Sequence, residues 1–247
     1  MVNPDTIRNI LGIIGNVTSF LLFLSPAPTI WRIWKNKSVE EFKFHPIIAG
    51  IMNCVMWVFY SMPFVHPHSI LVTTVNSLGL VMYIVFNIIY LTYADGKKRR
   101  SMSLYYIAEV IFLAALACIT MLVFHTHDHR STFVGIFCDI FGIILYGSPL
   151  TIMWKVIKTK SVEFMPPSLS LAGFLNGVVW SAYALVRFDL YILIGNGIGG
   201  ILGFCQLVLY ACYYSSTPKK GKGMEVEEES NIPKQPQIEL STGPHAV

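Results

Sequence analysis

Two asparagines within apolar stretches, Asn76 and Asn196, are well suited to bind a polar solute. An amide side chain offers two N–H donors and one carbonyl acceptor, which suits a neutral polyol better than an ion. Its burial in hydrocarbon is costly unless it finds partners. Trp57 and Trp180 also lie in apolar stretches, and an indole face can stack on the C–H face of a sugar ring. The four residues together predict a binding site for a neutral hydroxylated molecule.

The tryptophans have an alternative role as anchors at the membrane surface. Helical rise from Pro46 and Pro166 places them about 15 to 20 Å into the membrane, which argues against anchoring.

These side chains recur because the chain is duplicated. The segment SPAPTIWRIWKNKSVE (25–40) returns as SPLTIMWKVIKTKSVE (148–163), so residue n is matched by residue n + 123. The same offset relates Leu22 to Leu145, Asn53 to Asn176 and Trp57 to Trp180, whereas the two binding asparagines are related after a slip of three residues. The repeated unit covers about three apolar segments, which is typical of transporters built from internal repeats.

The composition predicts a polytopic membrane protein. Of the 247 residues, 54% are hydrophobic and 13% charged, with a mean hydropathy of +0.57. A soluble domain carries about twice that charge. Apolar runs of spanning length lie at 7–28, 44–64, 70–93, 104–124, 132–154, 167–186 and 190–214. We therefore expect an all-α membrane protein with seven transmembrane helices.

Basic residues set the expected orientation. All but three of the 18 lysines and arginines follow spans 1, 3 and 5 or lie in the tail; the exceptions are Arg8, Arg130 and Arg187. The positive-inside rule then puts the N-terminus outside and the C-terminus in the cytosol. Two three-helix units keep the same orientation only if one extra helix joins them, giving two parallel three-helix bundles in a 3+1+3 plan.

The expected divisions of the chain follow from this plan. They are a first three-helix repeat (1–97), a linker helix with its outer loop (98–130), a second repeat (131–214) and a disordered cytosolic tail (215–247).

Four prolines indicate hinges near the cytosolic end. Pro26 and Pro149 lie late in spans 1 and 5, too deep to be caps, and Pro46 and Pro166 open spans 2 and 6. Proline removes a backbone donor and loosens the helical hydrogen-bond ladder. Alternatively, Pro46 and Pro166 merely start their helices, where proline is tolerated.

A few polar groups suggest a gate and a titratable site. His68 and Asp189 lie at outer span ends with Tyr60 nearby, and a charge-assisted hydrogen bond between them would close that end. Asp139 lies deep in span 5, either as a proton sensor or as a hydrogen-bonded structural group. Glu109 is expected to form a structural ion pair with Arg99 or Arg100.

Signals for an enzyme, a cofactor or a metal are weak. The five cysteines form no CxxC pair, and the HTHDHR stretch (125–130) reads better as a solvated loop than as a metal site. There is no Gly-rich phosphate loop and no evident nucleophile–base pair. We expect neither cofactor nor metal, and an enzyme is the least favoured class.

The duplicated SPxxxxxxxxKxKSVE blocks, the KTKSVEFMP run (158–166) and the paired Asn and Trp residues resemble the SWEET sugar facilitators of plants, in their hexose-type group. The resemblance implies a proline tetrad at the four prolines above and a PQ-loop-type glutamine at Gln206. The implied substrate-binding residues are Ser19, Leu22, Asn53, Trp57, Asn76, Leu145, Asn176, Trp180 and Asn196. Within that set, Leu22, Asn53, Leu145 and Asn176 correspond to selectivity positions, where bulky residues go with hexoses and small ones with sucrose.

The resemblance also implies a function. It predicts bidirectional uniport of a monosaccharide such as glucose by alternating access, in a homo-oligomer, often a trimer. The plasma membrane is the favoured location and the vacuolar membrane the second choice. The expected partners are a sugar and membrane lipid, with no nucleic acid. A seven-helix receptor and a carrier for sucrose or an amino acid remain as alternatives.

Overall fold

A computed structural model describes residues 3–217, and within them the chain forms nine helices. They are α1 (Pro4–Phe23), α2 (Ala27–Asn36), α3 (His45–Tyr60), α4 (Ile70–Tyr93), α5 (Gly96–Leu122), α6 (His127–Leu145), α7 (Gly147–Thr159), α8 (Pro167–Val186) and α9 (Leu190–Tyr213). They make seven spans, because α1 with α2 and α6 with α7 are each one broken span. Six of these spans are long and apolar enough to cross a membrane, and α3 is a shorter apolar helix. The predicted tail lies outside the described residues.

Two span boundaries differ from the prediction. Helix α5 begins at Gly96 and runs through the basic cluster after it, because the Asp95 side chain caps it by accepting from the amide of Lys98 at 2.7 Å. Helix α6 begins at His127, with Thr126 as its cap, so most of the HTHDHR stretch is helical rather than a loop.

The breaks in spans 1 and 5 follow from their prolines. Pro26 precedes α2 as its N-cap and Pro149 is the third residue of α7, so both stand at helix starts. The expectation that Pro26 lies too deep to be a cap is therefore wrong, whereas Pro149 lies inside the first turn of α7 and is not a cap. Neither proline can donate to the carbonyl four residues earlier, which belongs to Leu22 or Leu145.

Helix contacts close into a ring. Helix α1 contacts α4, α4 contacts α3, α3 contacts α6, α6 contacts α9, α9 contacts α8, and α8 returns to α1. Within each unit the third span contacts the other two, and between units the contacts α1–α8 and α3–α6 are related by the repeat. Helix α5 lies outside the ring against α3 and α6. The 3+1+3 arrangement of two parallel bundles is confirmed.

A glycine at the same place in each unit brings the first and third spans together. A Cβ on Gly12 would collide with the side chain of Leu71, and one on Gly135 would collide with the ring of Tyr191. Nearby, the Asn16 amide donates to the carbonyls of Gly12 at 2.8 Å and Leu71 at 3.1 Å, which ties α1 to α4.

The outer surface of the bundle is apolar. Many isoleucines, leucines and valines of α1, α4, α5 and α6 are more than a third exposed, as residues facing lipid are. The chain is a multi-pass membrane protein, and the ring leaves a cavity at its centre.

Candidate functional site

A cavity of about 450 Å³ lies inside the helix ring. All nine residues that the sequence proposed for substrate binding line it, and they come from both units: Ser19, Leu22, Asn53, Trp57, Asn76, Leu145, Asn176, Trp180 and Asn196. None of the described lining residues is an Asp, Glu, Lys, Arg or His. The cavity therefore combines apolar walls with neutral hydrogen-bonding groups. The part these residues play in binding stays a prediction.

Asn76 and Asn196 are held in the same way. Each Nδ2 donates at 2.9 Å to the carbonyl one turn earlier on its own helix, that of Val72 or Ile192. One N–H of each amide is thereby satisfied, and the second N–H and the carbonyl oxygen remain for a ligand. The pairing across the two units gives the cavity matched donors and acceptors.

Ser19, Asn176 and Trp180 form a closed hydrogen-bond cluster where α1 meets α8. The Trp180 indole N–H donates to Ser19 Oγ at 3.0 Å, and Ser19 Oγ donates to Asn176 Oδ1 at 2.7 Å. Thr18 Oγ1 also donates to Asn176 Oδ1, at 2.9 Å. These bonds fix the Trp180 ring, which is only 4% exposed.

Asn53 and Trp57 occupy the related places on α3. Their side chains line the cavity but make no hydrogen bond to any residue between 3 and 217. The two tryptophans thus have different surroundings, although the repeat relates them.

The cavity is closed at the end of the bundle that contains the loops 61–69 and 187–189. There the Tyr60 hydroxyl donates to Asp189 Oδ1 at 2.9 Å, and His66 Nε2 lies 3.1 Å from Asp189 Oδ2. Tyr60 belongs to the first unit and Asp189 to the second, so the network links the units. Burial acts to raise the pKa of Asp189, but His66 and hydrogen bonds from Ile192 N and Tyr60 lower it below its ordinary value.

The predicted pairing of Asp189 with His68 is wrong. His68 instead accepts at its backbone carbonyl, from Arg8 Nη1 at 2.6 Å. The Arg8 guanidinium lies 4.2 Å over the ring of Tyr183, the residue that the repeat relates to Tyr60. The sequence did not single out His66, because only the fold of the 61–69 loop brings this residue beside Asp189.

The opposite end, which we call the basic end, contains the loops 37–44 and 160–166. The cavity reaches the surface there, where Phe164 lines it and is 49% exposed. Pro149, Pro166 and Gln206 line this part of the cavity, whereas Pro26 and Pro46 do not. The role of the prolines as hinges stays a prediction.

Two carboxyl groups, those of Asp139 and Glu109, lie within the spans and are buried or partly buried. Asp139 is 8% exposed and its Oδ1 has no hydrogen-bond partner among the described residues. Glu109 forms no ion pair with a described residue; Arg99 instead donates to the carbonyls of Leu91 and Thr92, each at 2.9 Å. The ion pair predicted for Glu109 is therefore wrong.

Tyr146 and Gly142 are cavity residues that sequence reasoning missed. The Tyr146 hydroxyl donates to the Gly195 carbonyl at 2.5 Å, which joins α6 to α9. For Gly142 the signal was present in the repeat, because it matches Ser19 at the offset of 123 residues, whereas Tyr146 matches Phe23, which the sequence did not single out.

Comparison with known proteins agrees with this architecture. A family model described as a sugar efflux transporter for intercellular exchange matches residues 9–98 and again residues 132–218. The chain belongs to the MtN3/SWEET family. This is a family of transporters and not of enzymes.

Named relatives cover almost the whole chain. It is 52% identical over 98% of its length to the Arabidopsis thaliana bidirectional sugar transporter SWEET4, covering 97% of that protein. It is 50% identical over 96% of its length to SWEET7b of Oryza sativa subsp. indica, covering 90% of that protein. A solved eukaryotic SWEET transporter superimposes with a TM-score of 0.82 at 36% identity, covering 86% of this chain and 99% of that one.

Proposed function

We propose that this SWEET protein is a bidirectional uniporter for a monosaccharide such as glucose. The observation that carries the proposal is the central cavity, with paired amides from both units and no charged side chain in its described lining. A neutral polyol needs hydrogen-bond partners and apolar ring contacts, and both are present. The names of the relatives, bidirectional sugar transporters, support the same class of substrate.

The substrate is a neutral one. A carrier for an amino acid has to hold an ammonium and a carboxylate, and burying those charges without partners is costly. Asp139 does not line the cavity, although its Oδ1 is 3.1 Å from the position of a Cβ on the lining residue Gly195. Proton sensing by this residue is a secondary proposal.

A single sugar ring fits the wall chemistry better than a disaccharide. Leu22, Asn53, Leu145 and Asn176 all extend into the cavity lining and reduce its width. In the SWEET resemblance, bulky residues at these positions go with hexoses. Sucrose is the second candidate.

Transport proceeds by alternating access. The cavity is sealed at one end by Tyr60, His66 and Asp189 and reaches the surface at the basic end. Breaks beside Pro26 and Pro149 and helix starts at Pro46 and Pro166 provide places where the backbone bends with little loss of hydrogen bonds.

The setting is a membrane with the basic end in the cytosol. The charge distribution supports an external N-terminus, and the plasma membrane is the favoured location with the vacuolar membrane second. The two repeats (1–97 and 131–214) act as the moving units, the segment 98–130 joins them, and a homotrimer is the proposed assembly. Residues 215–247 are proposed as a cytosolic tail.

The test is uptake of labelled glucose into liposomes that contain the purified protein. We expect equilibrating uptake without an ion gradient, accelerated by glucose on the opposite side, and competition by other hexoses more than by sucrose. Asn76→Ala and Asn196→Ala should reduce uptake at least tenfold, since each removes polar groups from a desolvated site. Ile194→Ala, on the outer face of α9, is a matched control for Asn196.

Two outcomes would contradict the proposal. Full uptake by Asn76→Ala and Asn196→Ala in folded protein would remove the binding site. No flux of any solute, together with ligand-dependent recruitment of a cytosolic protein, would favour a seven-helix receptor.

A further inference from the structure

The cavity contains one half-site that is complete and one that lacks a hydroxyl. In the complete half, Ser19 Oγ accepts from the Trp180 indole at 3.0 Å and donates to Asn176 Oδ1 at 2.7 Å. Asn176 and Trp180 are one turn apart on α8, and Ser19 faces them from α1. A single hydroxyl thus satisfies both groups.

The other half has the same indole and amide without the hydroxyl. Asn53 and Trp57 are one turn apart on α3, which packs against α6 as α8 packs against α1. The residue of α6 that matches Ser19 is Gly142. Gly142 lines the cavity, and a Cβ placed on it would meet nothing within 4 Å. Neither Asn53 nor Trp57 makes a side-chain hydrogen bond within residues 3–217.

We propose that a hydroxyl of the substrate takes the place that Ser19 Oγ fills in the other half, so that Gly142 is a specificity-determining residue. The sugar hydroxyl accepts from the Trp57 indole N–H and donates to Asn53 Oδ1. Gly142 selects for the substrate by leaving the space open. The inference rests on the proposed sugar transport and assigns one hydroxyl of the ring to one half of a cavity that is symmetric in its fold.

This arrangement also orients the sugar. Asn76 and Asn196 present nearly the same groups and do not distinguish the two ends of a ring. The cluster of Ser19, Asn176 and Trp180 is already satisfied, whereas Asn53 and Trp57 need a partner. A sugar ring is therefore bound in a single orientation, with one equatorial hydroxyl pointing toward α3 and α6.

The experiment measures competition of glucose and its 2-, 3-, 4- and 6-deoxy analogues against labelled glucose uptake in liposomes. The wild type should bind one deoxy analogue about tenfold more weakly than glucose, as expected for loss of hydrogen bonds at a desolvated site. Gly142→Ser supplies its own hydroxyl to Trp57 and Asn53. It should weaken glucose about tenfold and bind that deoxy analogue as well as it binds glucose.

Two variants separate the hydroxyl from added volume. Gly142→Ala adds a methyl group only, and should keep the wild-type discrimination between glucose and the deoxy analogue. Gly173→Ser adds a hydroxyl at another open glycine of the cavity lining, and should keep it as well.

The inference is overturned if Gly142→Ser retains the wild-type discrimination, if Gly173→Ser abolishes it equally, or if the wild type binds every deoxy analogue like glucose. Glucose uptake persists in these outcomes, so the proposed transport survives them. Absence of glucose uptake by the wild type would instead remove the transport proposal and this inference together.

Discussion

The two three-helix units share the contacts at their helix crossings and differ in how many side chains are buried at their basic ends. Gly79 lies under the ring of Phe23 in the first unit, and Gly199 lies under the related Tyr146 in the second. Lys37 and Lys160 end α2 and α7 in the left-handed conformation, with φ of 53° and 55°. These shared features determine how the helices cross and where they end, so the two copies have kept the same helix arrangement.

The basic end of the first unit is firmly held. Ile30 and Ile33 of α2 are 4% and 0% exposed and belong to a cluster of ten buried residues. Arg32 also pairs with Glu40 at 2.6 Å, and Lys98 of α5 donates to the Glu40 carbonyl at 2.8 Å.

The basic end of the second unit is much looser. Of α7, Val156 alone among its residues is buried, in a cluster of three. Lys155, at the position of Arg32, lies over the Phe164 ring and pairs with no carboxylate of residues 3–217. The cavity reaches the surface beside α7 and not beside α2.

The linker helix explains the difference. Met102 of α5 is fully buried in the cluster of the first unit, and the Tyr106 hydroxyl donates to Asn87 of α4 at 2.5 Å. The second unit has no equivalent helix among the described residues. We infer that α2 and α5 move together with the first unit as one body, and that α7 moves relative to that body at the basic end.

The largest effect is expected where the units are alike. Gly135→Ala should destabilise the protein by about 1–3 kcal/mol, because the added Cβ collides with the Tyr191 ring. Gly12→Ala should do the same through Leu71. The readout is thermal unfolding in detergent, with Gly147→Ala as control because its Cβ meets nothing. Unchanged unfolding temperatures would show that the shared crossings are loosely packed.

The next effect concerns the contact between units at the closed end. Asp189→Asn removes the charge that faces His66 and should raise the population open at that end about tenfold, since hydrogen bonds to charged groups contribute about 1.5–3 kcal/mol. Ile192 is 1% exposed in the cavity wall. Ile192→Cys, in a background without the five native cysteines, reports opening by its rate of labelling with an impermeant thiol reagent applied only on the side of the closed end.

The same reporter gives a pH dependence. The pKa of Asp189 is lowered by His66, Ile192 N and Tyr60 against the opposing effect of burial. A carboxyl group with a lowered pKa stabilises the closed end above its ordinary value of about 3.9. That contribution is lost as the pH falls further, through the lowered pKa. Because the thiolate is the reacting form, the labelling rate is divided by that of Phe188→Cys, an exposed residue at the same end, at each pH. This ratio should rise on acidification through that range, and a fall would contradict the sign.

Sequence alone predicted the seven spans and their 3+1+3 arrangement, because the repeat, the lengths of the apolar segments and the basic loops can be read from local composition. All nine residues that the SWEET resemblance assigned to substrate binding line the cavity, and their part in binding stays a prediction. It did not predict His66 beside Asp189, because that contact depends on how the 61–69 loop folds. It wrongly predicted an ion pair for Glu109, because the partners of Arg99 depend on how α5 packs. The break of span 1 into α1 and α2 was signalled by Pro26, but its position as a cap was not.

A direct test of the comparison places spin labels at the related exposed residues Trp31 and Trp154, which are 63% and 68% exposed. Each is paired in a separate sample with a label at Leu104 of α5, which is 62% exposed. Addition of glucose should broaden or shift the distance from residue 154 by several ångströms, on the scale of domain rocking, and leave the distance from residue 31 unchanged. Equal shifts would show that both units move alike.

The smallest effect is expected for the exposed Glu40 carboxylate, which Arg32 and Asn36 of α2 contact. Asn36 and Arg32 donate to the Glu40 carboxylate and lower its pKa. These interactions are therefore formed above the ordinary pKa of a glutamate and are lost as the pH falls through the lowered pKa. Exposed pairs of this kind contribute little, so Glu40→Gln should change glucose uptake less than about twofold. It should nevertheless broaden the distance from residue 31, whereas Glu163→Gln in the second unit should leave the distance from residue 154 as it was. If Glu40→Gln leaves the distance from residue 31 as narrow as in the wild type, burial of Ile30 and Ile33, and not the ion pair, holds α2 in place.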